Sequence, residues 1–344
     1  MKKMGGTAYY FRAFIYYRLA SHYGNVPILR KRSNDIVPIS PEADVWSFVE
    51  ENLKSSIQLL PKTDSHWYAS YEAANALAAR VALFQNKMPD AANYANEVLK
   101  NSVFSLTGSS LDFSKNWSAE STSSEIVFAF VNNSRASSPL TFTTYVNDTD
   151  ASWNYAPSDW CYNHLFSDDS SLSRKGDIRK NATFSAQDKN RVIKYPNGTY
   201  QLAPTSDYKS TPVIITRLSE MYLIKAEAEA MGGNLSGGKR TLENFVRTYR
   251  DPSFTSKANS AQDFQDEVWL QRRMELWGEG FSLFDILRLK KPVVRKNTNY
   301  DPSVQYNSAA EAQILIYRIP QCEMETNSGI SDTDNNPAAP QPQL

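Results

Sequence analysis

Residues 71–100 read YEAANALAARVALFQNKMPDAANYANEVLK. Small or apolar residues recur three and four positions apart in both halves, the spacing of a helix face. Between the halves, Gln85-Asn86-Lys87 interrupts the pattern, and Pro89 stands where a second helix begins, a position proline tolerates. Two helices joined by about three residues form an antiparallel pair, and the alanines let them approach closely. Such a pair is the unit of a tetratricopeptide-like repeat.

The same grammar extends outward. PVIITRLSEMYLIKAEAEAM (212–231) with SGGKRTLENFVRTYR (236–250) predicts a second pair, and 261–279 a third helix. Near the start, 5–23 is helical, with Tyr10, Phe14, Tyr17 and Ala20 along one side, stopped by Gly24 and kept from resuming by Pro27. Helix 41–60 is expected to be capped by Ser40 with Pro41 at its first position, and it carries Val45, Phe48, Val49, Leu53, Ile57 and Leu60 at helical spacing. No strict 34-residue period survives, so the pairs are repeat-like.

Residues 101–212 differ in kind, being rich in Ser, Asn, Asp, Tyr and Trp. Strands are expected at 125–131 and in a hairpin, RVIKYPNGTYQL (191–202), with Asn197-Gly198 at its tip. The fold class is therefore mostly α: tetratricopeptide-like helix pairs (1–100 and 213–290) form a scaffold that carries a loop-rich excursion (101–212). Residues 291–344 are expected to be extended, ending in SDTDNNPAAPQPQL without helix or strand. All 344 residues are read as one domain.

Composition narrows the function classes. Lys+Arg and Asp+Glu are both 37, so no net charge draws the chain to nucleic acid or an anionic membrane. The two cysteines, Cys161 and Cys322, make neither a disulfide framework nor a zinc site and are expected to be free, buried thiols. No apolar run approaches the roughly 18 residues that span a bilayer. The opening MKKMGGTAYYFRAFIYYRLA resembles a signal peptide in its basic tip, but Arg12 and Arg18 interrupt the apolar stretch. It reads as an amphipathic helix, and a chain that opens directly into a core helix is expected to have lost its beginning.

Several motifs are weaker than they look. GNLSGGKR (233–240) has phosphate-loop spacing, yet Arg240 stands where Ser or Thr would hold magnesium, and a helix precedes it in place of a strand. His22, His66 and His164 show no ligand spacing, so neither metal nor cofactor is expected. Asp148/Asp150 and Asp168/Asp169 are carboxylate pairs of the kind glycoside hydrolysis needs, but in a Ser/Asn-rich stretch they read as turn chemistry.

TYVNDTDASWNYAPSDWCYNHLF (144–166) is more telling: Tyr145, Trp153, Tyr155, Trp160 and Tyr162 alternate with Asn, Asp and Ser. Apolar faces of sugar rings stack on such aromatics while amides and carboxylates bind their hydroxyls. These five are the candidate ligand residues; the competing reading is that the rings anchor a long loop.

RRMELWGEGFSLFDILRLK (272–290) mixes Arg272, Arg273, Glu275, Glu279 and Asp285 with Leu276, Trp277 and Phe284. Charges among large apolar residues must be paired where water is excluded. Helical spacing puts Glu275 and Glu279 on one face, with Arg217, Glu220 and Glu227 as candidate partners. A structural network with Arg272 or Arg273, Glu279 and Asp285 buried against the Arg217–Glu227 helix is expected over a catalytic cluster.

Together with this stretch, YYFRAFIYYRLASHYGNVPI (9–28), YEAANALAARVALFQNKMPDAANYANEVLKNSVFSL (71–106), EIVFAF (125–130), RLSEMYLIKAEAEA (217–230) with ENFVRTYR (243–250), and the ending YRIPQCEMETNSGI (317–330) resemble SusD/RagB-type nutrient-binding proteins of Gram-negative outer membranes. Gln271 stands where that family commonly has Glu, and Ser282 where it usually has Arg, which implies a weakened network. Members begin with a lipoprotein signal, a lipidated Cys and further chain ahead of the first matching stretch, so the resemblance implies a shortened front without the anchor. It implies a non-catalytic, cell-surface, extracellular-facing component that binds an oligosaccharide or polysaccharide and hands it to a SusC-like TonB-dependent transporter, with the ligand aromatics in the excursion. The competing classes are a tetratricopeptide-like scaffold binding only protein and, behind it, a glycoside hydrolase.

Overall fold

The computed structural model describes residues 1–32, 35–118, 121, 123–131, 156–166, 176–185, 192–195, 212–295, 302, 307–308 and 315–337. Elements run in the order α1 (Lys2–Tyr23), α2 (Glu42–Leu59), α3 (Tyr71–Phe84), α4 (Met88–Leu99), α5 (Ser110–Ser114), β1 (Ile126–Phe130), α6 (Ile178–Thr183), β2 (Val213–Arg217), α7 (Leu218–Met231), α8 (Leu235–Tyr249), α9 (Ala261–Glu275), α10 (Ser282–Leu289), β3 (Val293–Val294), β4 (Asn307–Ser308) and α11 (Gln321–Thr326). The protein is mostly helical, and its chain divides into two compact units, 63–281 and the two ends, 1–62 with 282–344.

In the unit built from the ends, α1 packs on α2, with Tyr10, Ala13 and Tyr17 of α1 and Val45, Phe48 and Val49 of α2 buried and Tyr16 edge-on to Phe48 at 5.0 Å. Gly6 makes this approach possible: a Cβ there would sit 2.9 Å from the Leu60 side chain, and Ser56 Oγ donates to the Gly6 carbonyl at 3.1 Å. The C-terminal segment is strapped to α1 by backbone and amide bonds, Tyr317 N to His22 O (2.8 Å) and Asn336 Nδ2 to Tyr23 O (2.8 Å). Asp285 ion-pairs with Arg288 at 2.8 Å, one turn on in its own helix.

In the central unit, α3 packs on α4, α4 on α7 and α7 on α8, the stacked arrangement of helix pairs that residues 71–100 imply. Alanines fill the seams: Ala76, Ala79, Ala91 and Ala95 with Met221 and Ile224 in one core cluster. A second cluster joins Leu223, Ala226 and Ala230 of α7 to Leu242, Phe245 and Val246 of α8 and Phe264 and Val268 of α9. Where α7 meets α8, Gly238 lies so close that a Cβ would fall 2.5 Å from the Ala226 carbonyl oxygen. The glycines of 233–240 thus serve a helix start, with Asn234 Oδ1 accepting from Gly237 N.

β1 and β2 pair antiparallel in a two-stranded stem, from Ile126↔Arg217 at one end to Phe130↔Val213 at the other, with register shifts between Ile126 and Ala129. The excursion leaves and re-enters through this stem.

Several expectations are corrected. Residues 213–217 are strand, because Val213–Ile215 are β-branched and have β1 to pair with. Pro41, not Ser40, takes the cap position of α2, and Glu42 N donates to Asn25 Oδ1. α9 ends at Glu275; Gly278 (φ 73°) and Gly280 (φ 82°) turn the chain in the left-handed region that glycine favours. The tip of the expected hairpin lies outside the described residues, while Val192 bridges to Phe184. The C-terminal segment contains α11 and a 3₁₀ turn at Asp332–Asp334, held by Ser331. Cys161 is buried as expected, but Cys322 is exposed on α11.

Candidate functional site

The charged cluster resolves first. Glu125 precedes β1 and Arg217 ends β2, so the paired strands bring these two side chains together at the stem's base, where Leu218 N also donates to Glu125 O at 2.8 Å. Arg217 donates to Glu125 Oε2 (3.1 Å), Glu275 Oε1 (3.0 Å) and both Glu279 oxygens (2.7 and 3.0 Å). Arg250, at the end of α8, donates to Glu125 Oε1 (2.8 Å) and both Glu275 oxygens (2.8 and 3.0 Å). From the excursion, Lys194 Nζ reaches Glu279 Oε1 (2.7 Å) and the Glu275 and Trp277 carbonyls (3.1 and 2.8 Å). Arg179, paired with Asp177 at 2.7 Å, approaches Glu275 Oε2 to 3.8 Å.

Four carboxylates (Asp177, Glu125, Glu275, Glu279) thus meet four cations (Arg179, Lys194, Arg217, Arg250) among the described residues, all buried at the side chain. Phe113 and Trp117 close over them, with the Arg250 guanidinium 5.0 Å from the Phe113 ring and Lys194 Nζ 4.6 Å from Trp117. Burial pushes the Glu275 carboxyl up, but Arg250 and Arg217 outweigh it and hold the group well below the usual carboxylate range. Burial likewise opposes Glu279, and Arg217 and Lys194 bring it below its ordinary value. Lys194 is pushed down to about 8 by burial, against the pull of Glu279. A charge-balanced, water-excluded set like this is a structural knot: no member presents a lone pair or proton to solvent.

Of the expected members, Glu279 takes part with its side chain 5% exposed, although it lies past the end of α9 and reaches Arg217 through the glycine turn. Arg272 is buried with its guanidinium 5.8 Å from the Phe281 ring. The partners named from α7 divide: Arg217 is the hub, Glu220 is held bidentately by Arg80 (2.8 and 2.7 Å), and Glu227 accepts from Gln265 (2.9 Å). Gln271, the neutral residue expected to weaken the network, takes part in it, its Oε1 accepting from Arg179 Nη2 at 2.8 Å. Glu125, Asp177, Arg179, Lys194 and Arg250 escape the sequence reading, since they come from separate parts of the chain and none carries a local pattern.

The aromatic candidates fare differently. Tyr145, Trp153 and Tyr155 lie outside the described residues. Trp160 opens a short helical turn, capped by Ser158 Oγ accepting from Cys161 N, that buries Cys161 and Leu165. The residue is 40% exposed, and its indole stacks on His164 (5.6 Å between centroids, 12° between planes) and has the Arg273 guanidinium 4.6 Å over the ring. Arg273 in turn lies 5.1 Å over Trp269, so a ladder of planar groups joins the turn to α9. Tyr162 is half-buried, edge-on to Phe184 at 5.7 Å, with Lys180 Nζ 5.4 Å above its ring. The turn therefore has an inner side set in the core beside Phe166 and Phe184 and an outer side that offers Trp160 to solvent.

No group of His, Cys, Asp and Glu among the described residues could hold a metal ion, and no helix among them is long and apolar enough to cross a membrane.

The comparisons with known proteins agree with one another. A family model described as the SusD family matches residues 93–336, and one described as "Starch-binding associating with outer membrane" matches residues 1–83. No curated protein matches the chain. Among solved structures, a SusD superfamily protein from Bacteroides thetaiotaomicron is 24% identical with a TM-score of 0.84, and a SusD-like carbohydrate binding protein from Bacteroides vulgatus is 22% identical with a TM-score of 0.78. Each match covers 98% of this chain and 78% of the other. A laminarin binding SusD-like protein is 19% identical with a TM-score of 0.71, covering 96% of this chain and 78% of that one. At these identities the structures show a shared fold, and the family model spans most of the sequence; the stacked helix pairs, the stem and its excursion are those of a member of the SusD family.

Proposed function

We propose that this chain is a non-catalytic glycan-binding component of a nutrient uptake system at the outer membrane, taking an oligosaccharide or polysaccharide onto the aromatic part of its excursion and passing it to a SusC-like TonB-dependent transporter. One observation carries the reading: in a SusD-family chain, Trp160 is open to solvent within the Trp- and Tyr-rich segment, while the acids and bases that could suggest catalysis are buried in one another's company. The part of the indole left exposed beside His164 and Arg273 offers apolar surface to the CH groups of a pyranose, and Tyr145, Trp153, Tyr155 and Tyr162 extend the proposed site. The "Starch-binding associating with outer membrane" family description and the laminarin binding relative supply the first glycans to try and support the place at the membrane; an extracellular-facing position follows from glycan capture.

Calorimetric titration with laminarin and starch tests this. Saturable binding with no release of shorter sugars over hours is expected, and Trp160→Ala should weaken it roughly tenfold or more with stability little changed, by analogy with base stacking on aromatic side chains. Sugar release would make the chain a hydrolase. Absence of binding to any glycan, with transporter association intact, would make it a protein-binding scaffold.

A further inference from the structure

An exposed ring serves a ligand best when it already points the right way. Freezing a side chain on binding costs about threefold to tenfold in affinity, unless the free protein has frozen it beforehand. The backbone at Trp160 is held: Tyr162 N donates to Ser158 O at 3.0 Å, and Cys161 and Leu165 are buried. The indole itself is set in no core cluster among the described residues, so its orientation is left to its ring neighbours.

Among the described residues those neighbours are His164 and Arg273. His164 lies one turn on, is itself exposed and keeps its Nδ1 3.2 Å from the Trp160 carbonyl oxygen, so it travels with the turn. Arg273 comes from α9, where it stands between buried Arg272 and Met274. Its guanidinium carbon lies 4.6 Å from the centre of the Trp160 ring and 5.1 Å from that of Trp269. Trp269 is half-buried one turn back on α9, at the i,i+4 spacing that brings helix side chains together. A guanidinium is flat and weakly hydrated, so it can stack on both indoles, as the compact ammonium of lysine cannot.

We infer that Arg273 is a positioning residue for glycan binding: steadied by Trp269, it fixes the Trp160 indole in the orientation that a sugar meets, and it acts on the ligand through that ring. This rests on the glycan-binding reading above. It makes affinity depend on a side chain of the scaffold helix as well as on the turn that carries the ring.

A double-mutant cycle on laminarin and starch affinity tests this. Arg273→Ala should weaken binding about threefold to tenfold, with Trp160 in place and the melting temperature nearly unchanged. Arg273→Met, which keeps the stem packing without the guanidinium, should lose as much, and it decides the matter if the alanine variant folds poorly. On a Trp160→Ala background, Arg273→Ala should cost nothing further, since two residues that act through one contact do not add. In the free protein, the near-ultraviolet circular dichroism that Trp160→Ala removes reports the fixed indole, and Arg273→Ala should remove the same band. If both Arg273 variants bind as tightly as the unaltered chain while Trp160→Ala does not, the inference falls and the proposed function stands. Losses that add in the double variant would make Arg273 a direct sugar contact and overturn the positioning role, as would a band that survives Arg273→Ala. If the unaltered chain binds neither glycan, the proposed function falls and the inference with it.

Discussion

Glu279 and Lys194 show at the scale of single residues what the knot demands. Removing one partner of a buried pair leaves the other charge without compensation, at a cost on the order of 3–5 kcal/mol. Glu279→Ala strips a carboxylate from both Arg217 and Lys194 and should lower the urea midpoint accordingly, while glycan affinity, measured on the fraction still folded, stays within about twofold. An unchanged midpoint would contradict a structural role. Lys194 gives a pH signature. Its folded value of about 8 lies below the ordinary 10.5, so between those values the unfolded chain holds the proton more tightly and stability rises with pH. The slope is at most about 1.4 kcal/mol per pH unit. Burial pushes neighbouring Tyr195 well above 10, and stability is lost as pH climbs past 10 towards that group's folded value, so the rise shows from pH 8 to 10. Lys194→Met leaves Arg217 to pair with Glu279 and should flatten that rise; a curve as steep as the unaltered protein's would exclude Lys194 as its source.

At the scale of elements, the α7–α8 crossing makes a prediction whose sign is diagnostic. In an open helix, Gly→Ala stabilises by about 1 kcal/mol. At Gly238 the added methyl would meet the Ala226 carbonyl at 2.5 Å, and overpacking of this kind costs about 1–3 kcal/mol. Gly238→Ala should therefore destabilise in a urea titration, and a gain would mean that the helices can part without penalty. The helices were legible in the sequence because apolar spacing and alanine content are local signals, visible within a dozen residues of α3, α4, α7 and α8. The strand at 213–217 was hidden because its partner, β1, lies across the whole excursion. The knot was half legible: Glu275 and Glu279 announce a charged segment among apolar residues, but Glu125 is 150 positions before Glu275, and nothing near Lys194 shows that it will be buried. Of the candidate aromatics, Trp160 and Tyr162 stand two positions apart in the sequence, yet one faces solvent and the other leans on Phe184.

For the whole molecule, acid should act through the same carboxylates. Glu275 and Glu279 are held below the ordinary 4.5, so the stability they confer is present above that value and drains away as pH falls through their folded values. The urea midpoint should drop between about pH 5 and about pH 3, and a flat profile there would mean that the pairs form equally in the unfolded chain. The central unit, residues 63–281, is one continuous stretch with its own cores and the entire knot, so expressed alone it should fold and unfold cooperatively by circular dichroism. A fragment that melts without a transition would show that the unit depends on the chain's ends.

The stem also bears on how such a protein diversifies. The excursion is closed by β1 and β2 and pinned at intermediate points, by Arg179 against Gln271 and by Lys194 against Glu279. Once a loop's ends are fixed, doubling its length costs only about 0.6 kcal/mol. The stretches between the pins can therefore lengthen, shorten or be traded between relatives at little energetic penalty, provided the pins and the stem are kept. On the glycan-binding reading proposed above, a transplant that respects those boundaries should yield a folded chimera with a changed choice of sugar, so that new ligands become reachable by exchange of loops while the helical frame is inherited intact.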